Sequence, residues 1–399
     1  MTILKPSEDL GFGTKALHSG APVDPHTGAV IAPISLSTTF AQSAPGQPIG
    51  NYDYSRSNNP SRENFEIAVA SLENAKHTVA LASGSAGTAL ILQLLPIGSH
   101  VVAGSDVYGG THRYFTRVAN THGIDTLFVV DLEAQLEGAI KENTKLVWLE
   151  TPSNPTLRVT DVEQVSRILR NHERKTGNRI LFVVDNTFVT PYISNPLNHG
   201  ADIVIHSVSK YINGHSDVIM GAIATNEDKL QEQFRFMQNS LGNIPSPFDA
   251  WLAQRGLKTL HLRVRQSSLS ALAVAEFLEH HPAVIHVNYP GLESYEKRSV
   301  VLKQHRDGLG GGMVSFRIRG GAEAAAKFSS STRLFTLAES LGGIESLLEV
   351  PAVMTHGGIP KAERELSGVH DDLIRLSVGI EETVDLVNDI KQAIEKSAA

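Results

Sequence analysis

Between Glu63 and Arg255, short apolar runs alternate with stretches of helical spacing, and this alternation constrains the fold more than any single motif does. Seven runs have the length and composition of buried strands: 78–81, 100–103, 126–130, 146–149, 180–184, 203–205 and 219–224. Between the fifth of these and the one before it, Val162, Val165, Ile168 and Leu169 fall on one helical face. Strand–helix–strand alternation gives a mostly parallel sheet covered on both faces, an α/β fold with seven strands. At 399 residues the chain can form two domains. The pattern changes near 256–260, where a helical run over 260–278 leads into a smaller α+β domain. The expected division is an extended arm over 1–60, a large domain over 61–258, and a C-terminal domain over 259–399 that includes the linking helix. Val384, Leu386, Val387, Ile390 and Ile394 predict an amphipathic terminal helix.

Open α/β sheets bind ligands beyond the carboxyl ends of their strands, so the residues there matter most. Lys210 lies just past the 203–205 run, bracketed by Ser207 and Ser209. Such a lysine is either a surface cation or a nucleophile that forms a Schiff base with an aldehyde, and composition alone favours the surface. Asp185 closes the 180–184 run. A carboxylate ending a buried strand needs a cation or donors, and a pyridinium nitrogen is one such cation. A lysine and a strand-end aspartate are the pair that pyridoxal phosphate (PLP) requires.

Other segments say less by themselves. The turn 82–88, with Gly84 and Ser85, precedes a helical run and could hold an anion on free amides, though a plain strand-to-helix turn has the same pattern. Tyr108 in its glycine-rich turn and Asn154 between two prolines read as turn residues. The segment 51–62, with Asp53, Tyr54 and Arg56, reads as a solvated loop, and Glu339 as a solvated glutamate. Arg375 sits among apolar residues and needs an anionic partner. The glycines at 308 and 310–312 are not a phosphate loop, because the alternating strand pattern 313–318 follows them instead of a helix.

The net charge of −7 with no basic block argues against nucleic acid and against an anionic membrane surface. No apolar run reaches spanning length, and the first six residues lack a signal-peptide apolar stretch. With no cysteine, disulfide and thiolate chemistry are excluded. The histidines are scattered, His280-His281 falls at a helix end, and no metal site is expected. The expected location is cytoplasmic.

From about Thr14 to about Ile390 these separated motifs resemble the Cys/Met-metabolism family of PLP-dependent enzymes, and within it the fungal γ-lyases that cleave cystathionine. The resemblance implies the aspartate aminotransferase-like fold (fold type I), with PLP on Lys210 and Asp185 on the ring nitrogen. It implies that Tyr108 stacks on the ring and moves protons. The amides of Gly84 and Ser85 and the hydroxyls of Ser207 and Ser209 would hold the phosphate. Tyr54 and Arg56 would reach the phosphate of a neighbouring subunit, so a monomer's site would be incomplete, and the assembly would be a homotetramer of two site-sharing dimers. Asn154 would contact the ring hydroxyl and the substrate carboxylate side. Arg375 would bind the α-carboxylate, with Ser340 beside it. Glu339 and Asp53 would face the distal end of L-cystathionine; a closely related γ-lyase is expected to carry glutamate in place of Asp53. Gly110 stands where the family's methionine γ-lyases place a cysteine. The implied reaction is α,γ-elimination to cysteine, 2-oxobutanoate and ammonia, with cleavage of cysteine or homocysteine to hydrogen sulfide as a side reaction. The family's cystathionine γ-synthases and O-acetylhomoserine sulfhydrylases share the cofactor motifs; Glu339 and Asp53 favour the lyase. A silent relative that only binds partners would not need every PLP-contacting residue, and all are present.

Overall fold

The computed structural model describes residues 10–398, and compactness divides the chain into two units. The first comprises the chain up to Leu95 together with Asp202–His261; the second comprises Pro96–Ala201 and the chain from Leu262 onward. All seven expected strands form: β1 (His77–Leu81), β2 (His100–Gly104), β3 (Asp125–Val129), β4 (Thr144–Glu150), β5 (Leu181–Asp185), β6 (Ile203–Ser207) and β7 (Gly221–Thr225). They belong to one mixed sheet of seven strands.

The first unit contributes β1-β7-β6, with β7 antiparallel to both neighbours. The expected arm is not wholly extended. Phe12–His18 forms α1, which buries Ala16, and Phe12 packs its ring against His261. Two turns are too few for a helical period to stand out in a sequence. Further on, Gln42–Ala44 pairs with Gln47–Pro48, and most of the segment from 20 to 59 is irregular. Helix α2 (Pro60–Glu73) starts as a capped helix should: Asn59 accepts the Ser61 and Arg62 amides, and proline occupies the first helical position. Its Glu66 is buried, accepts the Ala80 amide of β1 at 2.8 Å, and is bridged by Arg235.

The second unit contributes β5-β4-β2-β3, every pair parallel. The expected helix between β4 and β5 is α4 (Val162–Thr176), capped by Asp161 and closed by Gly177 in the left-handed region. A second sheet has the order β8-β9-β12-β11-β10, from β8 (Val284–Asn288), β9 (Met313–Ile318), β10 (Thr336–Leu337), β11 (Leu347–Glu349) and β12 (Leu373–Ser377). The expected linking helix is α5 (Leu260–Glu279) and the terminal helix α6 (Thr383–Ala398). Val274 and Leu278 of α5, Leu386 and Ile390 of α6, and Phe316 of β9 share one buried core. Burying each such side chain contributes about 1.5–3 kcal/mol.

The glycine run before β9 is explained by packing. The Tyr289 hydroxyl shares its one proton between the Gly311 and Ser268 carbonyls, at 2.9 and 3.0 Å, and a Cβ at Gly310 would lie 2.6 Å from the Tyr289 ring. His280 Nδ1 lies 2.8 Å from the Glu276 carbonyl at the end of α5. Among the described residues no helix is long and apolar enough to cross a membrane.

Candidate active site

In the first unit the site is a turn between β1 and helix α3 (Gly84–Gln93). Ser83 caps the helix: its hydroxyl accepts the Ala86 amide at 3.0 Å and its carbonyl accepts the Gly87 amide. The amides of Gly84 and Ser85 lie ahead of those two bonds, on the positive end of a three-turn helix, where an anion is favoured. The end of β6 packs directly on this turn. A Cβ at Gly84 would come within 3.1 Å of the Ser207 Cβ, and one at Gly221 within 2.3 Å of the Ser83 carbonyl oxygen. Two glycines therefore let two strand ends close around the helix start. Ser209 Oγ accepts the Met220 amide at 2.9 Å and makes a long 3.4 Å bond to the Met220 carbonyl. Lys210 is half-buried; its amide donates to the Ser207 carbonyl and its carbonyl accepts the Gly214 amide at 2.7 Å.

The segment 53–56 lies in the same unit and faces outward. Asp53, Tyr54 and Arg56 are exposed; the Arg56 guanidinium lies 5.2 Å from the Tyr54 ring centroid and donates to Asn239. Its backbone is nonetheless fixed from below. Arg62, fully buried, donates to the carbonyls of Ser55 at 2.7 Å and Arg56 at 3.2 Å. Sequence reasoning passed over Arg62, whose charge in a capped helix start suggests a solvated face.

In the second unit two clusters form. At the first, Asp185 ends β5 and its carboxylate accepts the Thr187 amide at 2.9 Å. Directly across in the parallel register stands Glu150, the last residue of β4. Both Glu150 oxygens accept the Tyr108 amide, at 3.0 and 3.1 Å. Burial, and then the Asp185 charge, push the Glu150 carboxyl well above the usual carboxylate range. Glu150 was missed although the signal that marked Asp185, an acid closing an apolar strand, is present there too. The Tyr108 ring itself is 41% exposed and folds over Gly110, where a Cβ would lie 2.3 Å from the ring.

The second cluster surrounds Arg375 in β12, which is 2% exposed. Its Nη1 donates to Asn154 Oδ1 at 2.8 Å and lies 3.0 Å from Glu349 Oε1; its Nη2 donates to the Ser340 carbonyl at 3.0 Å. The sequence-stated partners Asn154, Ser340 and Arg375 are thus brought together. Ser340 holds a φ of 125°, a strained region for any residue but glycine, which costs about 1–3 kcal/mol and is common where a site constrains the backbone. Glu339, next to it, is exposed and has no ion pair among the described residues. Thr355 donates to Glu349 Oε1 at 2.7 Å, and His356 follows, within 3.3 Å of the Val107 carbonyl. Burial, then the Arg375 charge, push His356 down to about 4, so it stays neutral.

These residues fit PLP: helix-start amides and serine hydroxyls for a phosphate, a lysine for an aldehyde, and a strand-end carboxylate for a ring nitrogen. Residues 13–395 match the family described as "Cys/Met metabolism PLP-dependent enzyme". The chain is 66% identical to a cystathionine gamma-lyase of Saccharomyces cerevisiae over 387 residues, covering 97% of this chain and 98% of that protein. It is 50% identical to a cystathionine gamma-lyase of Dictyostelium discoideum, covering 96% and 98%. The crystal structure of the yeast cystathionine gamma-lyase superposes with a TM-score of 0.95 at 65% identity, covering 98% of this chain and all of that one. Matched over nearly its whole length in both sequence and fold, the chain belongs to the Cys/Met metabolism family of PLP-dependent enzymes.

Proposed function

We propose that the chain is a PLP-dependent carbon–sulfur lyase that carries out α,γ-elimination on L-cystathionine, giving L-cysteine, 2-oxobutanoate and ammonia with uptake of one water. The observation that carries this is the agreement of relatives as distant as yeast and Dictyostelium, both cystathionine gamma-lyases, over nearly their whole length.

The bound cofactor supplies an aldehyde to hold the substrate amine and a ring to accept electrons from Cα. The remaining work falls to side chains. Arg375 fixes the α-carboxylate, with Asn154 and Ser340 fixing Arg375 in turn. Lys210, which holds the aldehyde at rest, uses its Nζ to take the proton from Cα; a second proton leaves Cβ. Asp185 keeps the ring nitrogen protonated. Tyr108 or Lys210 gives a proton to the sulfur as the Cγ–S bond breaks. Gly84, Ser85, Ser207 and Ser209 take the phosphate, and Asp53 and Glu339 take the distal end of the substrate.

In this reading residues 1–60 are an arm to a neighbouring subunit, 61–258 the cofactor domain and 259–399 the substrate-side domain. Tyr54 and Arg56 complete the neighbour's phosphate site within a homotetramer in the cytoplasm. The exposed apolar side chains of the arm, Val30, Leu36 and Ile49, support that placement, because apolar side chains gathered on one segment mark a surface that another chain covers.

A product assay tests the reaction. Holoenzyme is expected to release 2-oxobutanoate from cystathionine, and Lys210→Ala to release none. Pyruvate and homocysteine as products would mean cleavage on the β side. Faster γ-replacement on O-acetylhomoserine than elimination from cystathionine would make the chain a synthase or sulfhydrylase.

A further inference from the structure

Arg375 already has a carboxylate beside it. The antiparallel pairing of β11 and β12 sets Glu349 directly across from Arg375, and the two side chains are 1% and 2% exposed with 3.0 Å between Oε1 and Nη1. Thr355 donates a hydroxyl to the same Glu349 oxygen. Burying a guanidinium alone would be costly, so the pair is what allows Arg375 to sit charged in a strand before any ligand arrives. When a substrate carboxylate reaches Arg375, Glu349 cannot withdraw. It is fixed in a paired strand, with no path to solvent. Two anions then share one cation, and the incoming one binds against the resident one.

We propose that Glu349 is a positioning and affinity-setting residue. It holds the Arg375 guanidinium in place in the ligand-free site, and its charge keeps carboxylate binding weak enough for the 2-oxo acid to leave. This rests on the reading of Arg375 as the carboxylate site.

The probe is propanoate, which has the carboxylate but no amine and so cannot attach to the cofactor aldehyde. Its dissociation constant is measured on holoenzyme by calorimetry. Glu349→Gln keeps the shape and the acceptor for Thr355 but removes the charge. It is expected to bind propanoate at least about tenfold more tightly than the unaltered enzyme, because like charges a few ångströms apart in a buried site repel by more than the free energy that a tenfold change represents. It should also gain more thermal stability from propanoate, while the visible spectrum of the bound cofactor stays unchanged. Unchanged or weaker propanoate binding in a Glu349→Gln protein with that normal spectrum overturns the proposal. Glu349→Asp covers the case in which the glutamine variant does not fold: drawing the charge back by one methylene should give tightening of about two- to threefold, and an unchanged constant overturns the proposal equally. Arg375→Ala separates the two readings. If it binds propanoate as the unaltered enzyme does, the assignment of Arg375 to the carboxylate fails, and this inference with it.

Discussion

Position 110 shows how a missing side chain can shape a site. The Tyr108 ring lies in the space a Cβ at Gly110 would fill, and its backbone amide is held by Glu150. Gly110→Ala must therefore turn the ring away while leaving the buried strand ends untouched. The expected outcome is a fall in kcat of about a hundredfold or more with the melting temperature nearly unchanged, since a positioned proton-transfer group is worth at least about that much. Kinetics paired with thermal unfolding check it. At this scale the sequence was partly legible. Asp185 and Glu150 carry the same mark, an acid after an apolar run, and only one of them was singled out. Glu349 carried no mark at all: its strand is three residues long, and its importance comes from the register that sets it opposite Arg375. A pairing between residues 26 apart in sequence has no local signature.

Among the elements, six of the seven strands are largely buried and were readable because strands covered on both faces are continuously apolar, while β3, mostly exposed at the end of the strand order, was readable from its apolar composition alone. Helix α1 was not, being too short for a period, and the fixed backbone of 53–56 was not, because its support comes from Arg62 in the next helix. Helix α2 joins β1 through a buried acid. Glu66 takes the Ala80 amide and both Nη atoms of Arg235. Glu66→Ala leaves a buried amide without its acceptor and the Arg235 guanidinium, which keeps its bonds to the Thr78 carbonyl and Gln238, without its counter-charge, and is expected to destabilise the fold by about 3 kcal/mol. Denaturant titration measures this; a loss within about 0.5 kcal/mol would mean that Arg235 finds water instead.

For the whole molecule, the consequential expectation is that sites are shared between subunits. If Arg56 serves a neighbour's phosphate while Lys210 serves its own subunit, chains altered at one position can complement chains altered at the other. Mixing Lys210→Ala with Arg56→Ala protein under conditions that allow subunit exchange is expected to restore elimination activity to well above that of either alone. Each variant assayed separately is the control, and activity that never exceeds the sum of the two would place both residues in one subunit's site. This level of organisation is expected only through family resemblance, because the chain's own pattern marks 51–62 as an ordinary polar loop.

Arg62 gives that loop a further property. By clasping the carbonyls of Ser55 and Arg56 from the protein interior, it sets the loop's backbone shape within its own chain. If the segment docks on a neighbouring subunit as proposed, a backbone already fixed forfeits little freedom on docking, and more of its contact energy would go into the association. On that proposal, loosening the clasp would show first as easier dissociation on dilution, with each separated chain still folded.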